Sequence, residues 1–187
     1  MSVGSLKELL DTAKQKKGWL NWTTAVTMTD IILEGFLKSQ GIDAAHVRYK
    51  QPAEAVNDLV SERIQLYSSA YAIVRPQTQS GKVKLLAVQA RNRVPGLDLP
   101  TVAESGFPDY AVPAWFAALA PANTPKAAVS QLAAWLTAAL QAPEIEQKLL
   151  IQGLYPSGLC GDEFAAHLRD QFDEFGRIIR ESNIKAE

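Results

Sequence analysis

Residues 82–108 constrain this chain more than any other stretch. Val83, Leu85, Leu86, Ala87 and Val88 form an apolar run that passes through Arg91 and Arg93 into Leu99, Pro100, Thr101, Val102, Ala103, Glu104, Ser105, Gly106, Phe107 and Pro108. A short apolar run bounded by turn-forming residues fits a strand buried on both faces. Residues 83–90 are therefore expected to be the central strand of a sheet, with one short helix at 102–105 bracketed by proline and glycine. Residues 114–120 read as a last strand. It leads through Thr124, the expected N-cap, and Pro125, which suits a first helical position because no N–H is needed there.

The remaining elements alternate. Ser5 and Glu8 form a capping box, and Leu6, Leu9, Leu10 and Ala13 share one face of the helix that follows, up to Gly18. Strands are expected at 19–24, 45–49 and 64–70, with helices at 30–40, from Pro52, and at 72–79. Strands alternating with helices argue for an α/β fold with a parallel or mixed sheet and helical crossovers. Beyond Pro113 the pattern turns helical, with helices at 126–141, at 143–150 and, the longest, at 162–182. Phe164, Leu168, Phe172, Phe175 and Ile179 line one face of that last helix. Cys160 stands just before it, where it would make a weak cap.

Composition narrows the function. A net charge of −1 leaves no broad basic field for nucleic acid or anionic membrane. No apolar run approaches the ~20 residues of a membrane span. The single Cys160 excludes an internal disulfide framework. The two histidines, His46 and His167, lack a second ligand at metal spacing, so both read as structural or solvated. Ser105-Gly106 lacks the hydrolase elbow, and no phosphate loop or dinucleotide fingerprint occurs. The motifs call for no cofactor, no metal and no enzyme activity. Residues 1–8 show no signal-peptide core.

The order of parts from Leu86-Ala87-Val88 through the arginine turn, Pro100-Thr101-Val102-Ala103-Glu104, and Trp115-Phe116 with Leu119-Ala120-Pro121-Ala122 and Thr124-Pro125 resembles one family. It is the Bug-type solute receptors of tripartite tricarboxylate transporters. The resemblance runs from about Leu6 to the end and looks like the last two thirds of such a receptor. It implies a type II periplasmic-binding-protein fold, of which this chain would carry one complete lobe and part of a second. Residues 5–111 would match the receptor's second domain, and 112–187 the C-terminal part of its first. The family is periplasmic; the compartment of this chain stays open.

The resemblance also implies a site. The family places a serine- and glycine-rich loop after its first strand of this lobe, where backbone N–H groups at a helix N-terminus meet a carboxylate. Here the loop reads Thr23-Thr24-Ala25-Val26-Thr27-Met28, without glycine. Thr23, Thr24 and Thr27 are the candidate ligand contacts, expected on one strand-to-helix turn; ordinary cap threonines are the alternative. Tyr49, kept from the family's second signature, is the fourth candidate. Arg48 takes the place of that signature's proline and is either a carboxylate partner or a solvated strand residue. Gln65 stands where the family usually has aspartate.

Two readings result. One is a solute-binding domain for a small carboxylate, working with transporter membrane subunits. The other is a degenerate, non-binding form of the fold that acts as a structural or interaction protein by self-association. A homodimer is expected in either case, because Trp115, Phe116, Trp135 and Phe172 supply apolar surface that a half-lobe would leave bare.

Overall fold

The computed structural model describes residues 3–94 and 97–184. Two compact units divide the chain: Met1–Ala114 together with Phe175–Glu187, and Trp115–Glu174.

The first unit is built on three parallel strands. They are β1 (Asn21–Thr24), β2 (Ala45–His46) and β3 (Leu66–Ser68), in the order β2-β1-β3. Trp22 pairs with His46 on one side and Leu66 on the other. Helix α1 (Leu6–Gln15) precedes the sheet, and α2 (Thr27–Ser39), α3 (Pro52–Val60) and α4 (Tyr71–Gln79) each follow one strand. The expected alternation is therefore present, and the sheet is parallel.

Local chemistry sets these elements. Ser5 Oγ accepts the Glu8 N–H at 3.2 Å and starts α1, while the Glu8 carboxylate accepts from the Gly4 N–H at 2.6 Å. α1 buries Leu6, Leu9, Leu10 and Ala13 against Leu20, Trp22, Phe36, Leu37 and Ile42. A second cluster joins Ile32 of α2, Val112 and Ile178, the last from α7 (Gly161–Glu181). Arg177 of the same helix donates to the Asp109 carbonyl at 2.9 Å, and Lys38 to the Ser182 carbonyl at 3.2 Å.

Residues 83–90 do not form the expected central strand. Val88 alone bridges to Thr101, through Val88 N–H to Pro100 O at 2.9 Å and Val102 N–H to Val88 O at 2.8 Å. Pro100 has no N–H to extend that ladder. Leu86 and Ala87 still pack on the main core, so the apolar run reported burial, not pairing. The short helix expected at 102–105 is a single turn. Thr101 and Glu104 cap it reciprocally at 2.9 and 3.0 Å, and Gly106, at φ 98, ends it.

The second unit is helical, with α5 (Lys126–Leu140), α6 (Pro143–Ile151) and the first part of α7. Residues 114–120 form no strand, and Phe116 and Leu119 are 84% and 78% exposed. Trp115 is held by side chains instead. It meets Phe164 edge-on at 5.6 Å, and its indole N–H donates to Gln171 Oε1 at 3.3 Å. Thr124 is not the cap of α5. Its N–H turns to the Pro121 carbonyl, and Pro125, at ψ 135, still stands outside the helix. Cys160 is exposed, with its sulfur 3.8 Å from the Thr137 hydroxyl.

Candidate functional site

In a parallel sheet with helical crossovers, ligands meet the carboxyl ends of the strands where the strand order reverses. Here the chain passes from β1 out to β2 and returns across β1 to β3, so that point lies between β1 and β3. The two strand ends are tied together there, with the Ala25 N–H donating to the Ser68 carbonyl at 3.0 Å. Thr24 runs within three residues into α2, and Ser68 runs likewise into α4.

Neither helix has a side-chain cap. Val26 and Ala70 occupy the cap positions of α2 and α4, and Gln51, in front of α3, also makes no cap bond. Helix N-termini carry unsatisfied N–H groups and partial positive charge, which together favour an anion. Exposed Val26 and Met28 flank the α2 start.

The four sequence candidates fare differently. Thr23 is only 2% exposed, so its hydroxyl is enclosed by the sheet and not presented on the turn. Thr24 is half-buried at the strand end and hydrogen-bonds to the Asp30 carboxylate; its hydroxyl also lies 3.0 Å from the Val26 carbonyl. Thr27 opens α2, but its side chain lies outside the described residues. Tyr49 follows β2, and its hydroxyl donates to Asp58 Oδ2 of α3 at 2.8 Å. Burial, then that hydrogen bond to a carboxylate, push the phenol up to about 12. Of these four, Thr24 alone has a described hydroxyl at the β1–β3 junction, where the Ser68 hydroxyl donates to Gln89 Oε1 at 3.3 Å.

Asp30, marked in the sequence only as a helix start, and His46, read as structural or solvated, adjoin Thr24. Asp30 lies in the first turns of α2, and its Oδ1 receives Thr24 and sits 3.4 Å from His46 Nε2. His46 in turn lies flat on Trp22, with ring centroids 4.0 Å apart and planes 4° from parallel. The signal was in the register: Trp22 and His46 are partners in adjacent strands. Arg48 lines a separate open pocket of about 190 Å³ beside the sheet edge, with Trp22, Lys38, Asp43 and His46. Gln65 serves the opposite end of β1, where its side chain accepts from the Asn21 N–H at 2.8 Å. Among the described residues, no group of acidic, histidine or cysteine side chains could hold a metal ion. No described helix is long and apolar enough to cross a membrane.

Comparison with known proteins agrees with this architecture. A protein from the tcbD-tcbE intergenic region of Pseudomonas sp. strain P51 is 28% identical over 185 residues, covering 97% of this chain and 55% of its own. BugT of Bordetella pertussis is 23% identical over 188 residues, covering 99% and 58%. Among solved structures, a periplasmic transporter superposes with a TM-score of 0.85 at 31% identity, covering 99% of this chain and 63% of that one. R. palustris Rpa4515, solved with adipate, gives 0.83 at 25% identity, covering 98% and 62%. The chain therefore spans a little over half the length of such relatives. The fold is that of periplasmic binding proteins, and their family is one of receptors, not enzymes. The family described as tripartite tricarboxylate transporter family receptor matches residues 2–184, and this chain belongs to it.

Proposed function

We propose that this chain is a solute-binding domain whose first unit holds a small carboxylate at the carboxyl ends of β1 and β3. The observation that carries the reading is the convergence of two helix N-termini without side-chain caps, α2 and α4, on strand ends joined by the Ala25–Ser68 hydrogen bond. The adipate in the structure of Rpa4515 supports the ligand class. Thr24 at the end of β1 is the proposed side-chain contact, with Thr27, the first residue of α2, as the second. Thr23, buried in the sheet, and Tyr49, tied to Asp58, are the other two candidate contacts. Residues 5–111 would correspond to the second domain of a full receptor and 112–187 to the end of its first. Transporter membrane subunits would be the partners of the loaded receptor.

A second reading is favoured by the state of residues 115–174. Gln171 is the single buried residue among them, while Phe116, Leu119, Trp135 and Phe172 are largely exposed. Such a surface suits a non-binding form of the fold that works by self-association, as a homodimer.

A thermal-shift screen over mono-, di- and tricarboxylates and amino acids separates the two. A ligand at 100 times its dissociation constant adds about 2.7 kcal/mol of apparent stability. For a chain of this size that raises Tm by roughly 5–10 °C. A rise with one class of acid supports the receptor reading, and a flat response across all classes favours the second.

A further inference from the structure

None of Thr24, Ala25 and Ser68 lines the open pocket of about 190 Å³ beside β2, so it is separate from the strand-end junction. Its walls follow from the periods of two elements. Ala44, His46 and Arg48 alternate along the edge strand, so their side chains share one face. Glu34, Leu37 and Lys38 stand three and four residues apart on α2 and share another. Buried Leu37, Ile42 and Trp22 make the apolar part of the lining. His46 is its fixed feature. Trp22 covers one face of the imidazole at 4.0 Å, 4° from parallel, and Asp30 Oδ1 stands 3.4 Å from Nε2. A ring held on one face and one edge can stack on its other face with little left to order. The charges around the pocket balance, Lys38 and Arg48 against Glu34 and Asp43. Lys38 is engaged by Glu34 at 2.8 Å and by the Ser182 carbonyl at 3.2 Å. Asp43, an acceptor, and Arg48, with five N–H donors, are exposed. Balanced charge gives a dianion no advantage here. A neutral ring with donors and acceptors on its edge meets both, an N–H at Asp43 and a carbonyl or ring nitrogen at Arg48.

We propose that this pocket is a second binding site, for a planar nitrogen heterocycle of the kind nucleosides carry, stacked on the outer face of His46 with its polar edge against Asp43 and Arg48. The inference goes beyond the carboxylate reading and does not depend on it. Stacking accepts any flat π-face, and the rim then selects rings whose edge offers both a donor and an acceptor. The volume is below the roughly 300–1,000 Å³ of a site for a drug-sized ligand and suits a single ring system, with any attached sugar left in solvent. Asp30 is a positioning residue, because it acts through the imidazole it holds.

NMR titration with adenosine, inosine, cytidine and uridine tests the proposal, with benzyl alcohol as a ring that lacks the polar edge. The expected result is that at least one nucleoside binds with a Kd of about 1 mM or lower, and benzyl alcohol about tenfold or more weakly. The Trp22 indole and the amides of residues 42–48 should shift, and those of Thr24 and Ser68 should not. Ala44→Trp, which fills the pocket, and the double change Asp43→Ala with Arg48→Ala should each weaken binding about tenfold or more. No binding of any of the four at about 10 mM overturns the proposal. Benzyl alcohol binding as tightly as the nucleosides overturns the ligand class. Binding that persists in Ala44→Trp, or shifts centred on Thr24 and Ser68, overturns the location. The map of shifts in the parent chain decides the location even if a variant fails to fold.

Discussion

Gly35 of α2 passes so close to Ile178 of α7 that a Cβ at position 35 would lie 2.6 Å from Ile178 Cγ2 and 2.9 Å from Ser182 Oγ. Ile178 is fully buried and cannot swing away. Gly35→Ala should therefore overpack this contact, at a cost of about 1–3 kcal/mol, against a helix-propensity gain of about 1 kcal/mol. The expected outcome is a net loss of up to about 2 kcal/mol in urea unfolding. Gly176→Ala is the opposite case. Its added carbon meets only the far end of the Arg180 side chain, at 3.1 Å, so the propensity gain should prevail and stability should rise. Equal signs for the two variants would refute the packing argument.

His46 covers one face of the Trp22 indole, and Trp22 is 2% exposed. Removing the imidazole in His46→Ala should cost about 1 kcal/mol from the lost ring contact. It also removes the group that shares the Asp30 oxygen with Thr24. Chemical denaturation measures the first effect. Unchanged stability would mean that the stack contributes nothing.

Tyr49 gives a prediction at high pH. Burial and the Asp58 hydrogen bond raise its phenol to about 12 in the folded chain, from an ordinary value of 10.0. The folded state thus holds this proton more tightly than the unfolded state. Its contribution is fully present below about pH 10 and is lost as pH rises toward 12. Subtracting the ultraviolet titration of Tyr49→Phe from that of the parent should isolate this late-titrating phenol. Asp58→Asn should bring it down. A phenol that titrates normally in the parent would remove Asp58 as its partner.

Association is expected through residues 115–174. Phe116 and Phe172 are 84% and 79% exposed, and Trp135 is 61% exposed. Burying such side chains is worth about 1.5–3 kcal/mol each, enough for a few of them to offset the freedom lost on pairing. Light scattering should give twice the chain mass at micromolar concentration, and Phe116→Glu with Phe172→Glu should return it to one. A single-chain mass for the parent would end the proposal.

Where local chemistry decides, the sequence was legible. Ser5, Gly41 and Pro52 punctuate helices by their own conformational preferences, and α1, α2 and α3 lie within a few residues of their expected places. The strands were less so, since a strand exists only with a partner. Residues 83–90 and 114–120 have the right composition but lack a ladder. The site was half legible. Thr24 follows from its place between strand and helix, while His46 depends on which residues the parallel register sets side by side and Asp30 on how α2 packs back on β1. Tyr49 has a partner that its motif does not show, since its hydroxyl donates to Asp58, nine residues on.

The closing of the Ile32–Val112–Ile178 cluster by the last turns of α7 bears on how the chain is made. Lys38 reaches the Ser182 carbonyl across 144 residues of sequence. A chain emerging from the ribosome completes β1, β2 and β3 early, yet the seat beside Gly35 stays empty until residue 178 appears. Such long-range closure is slow, and the waiting apolar surface is exposed meanwhile. The first unit thus becomes whole only after the second has been synthesised. A nascent chain halted before Phe175 would hold its sheet but leave Ile32 and Val112 without their cover.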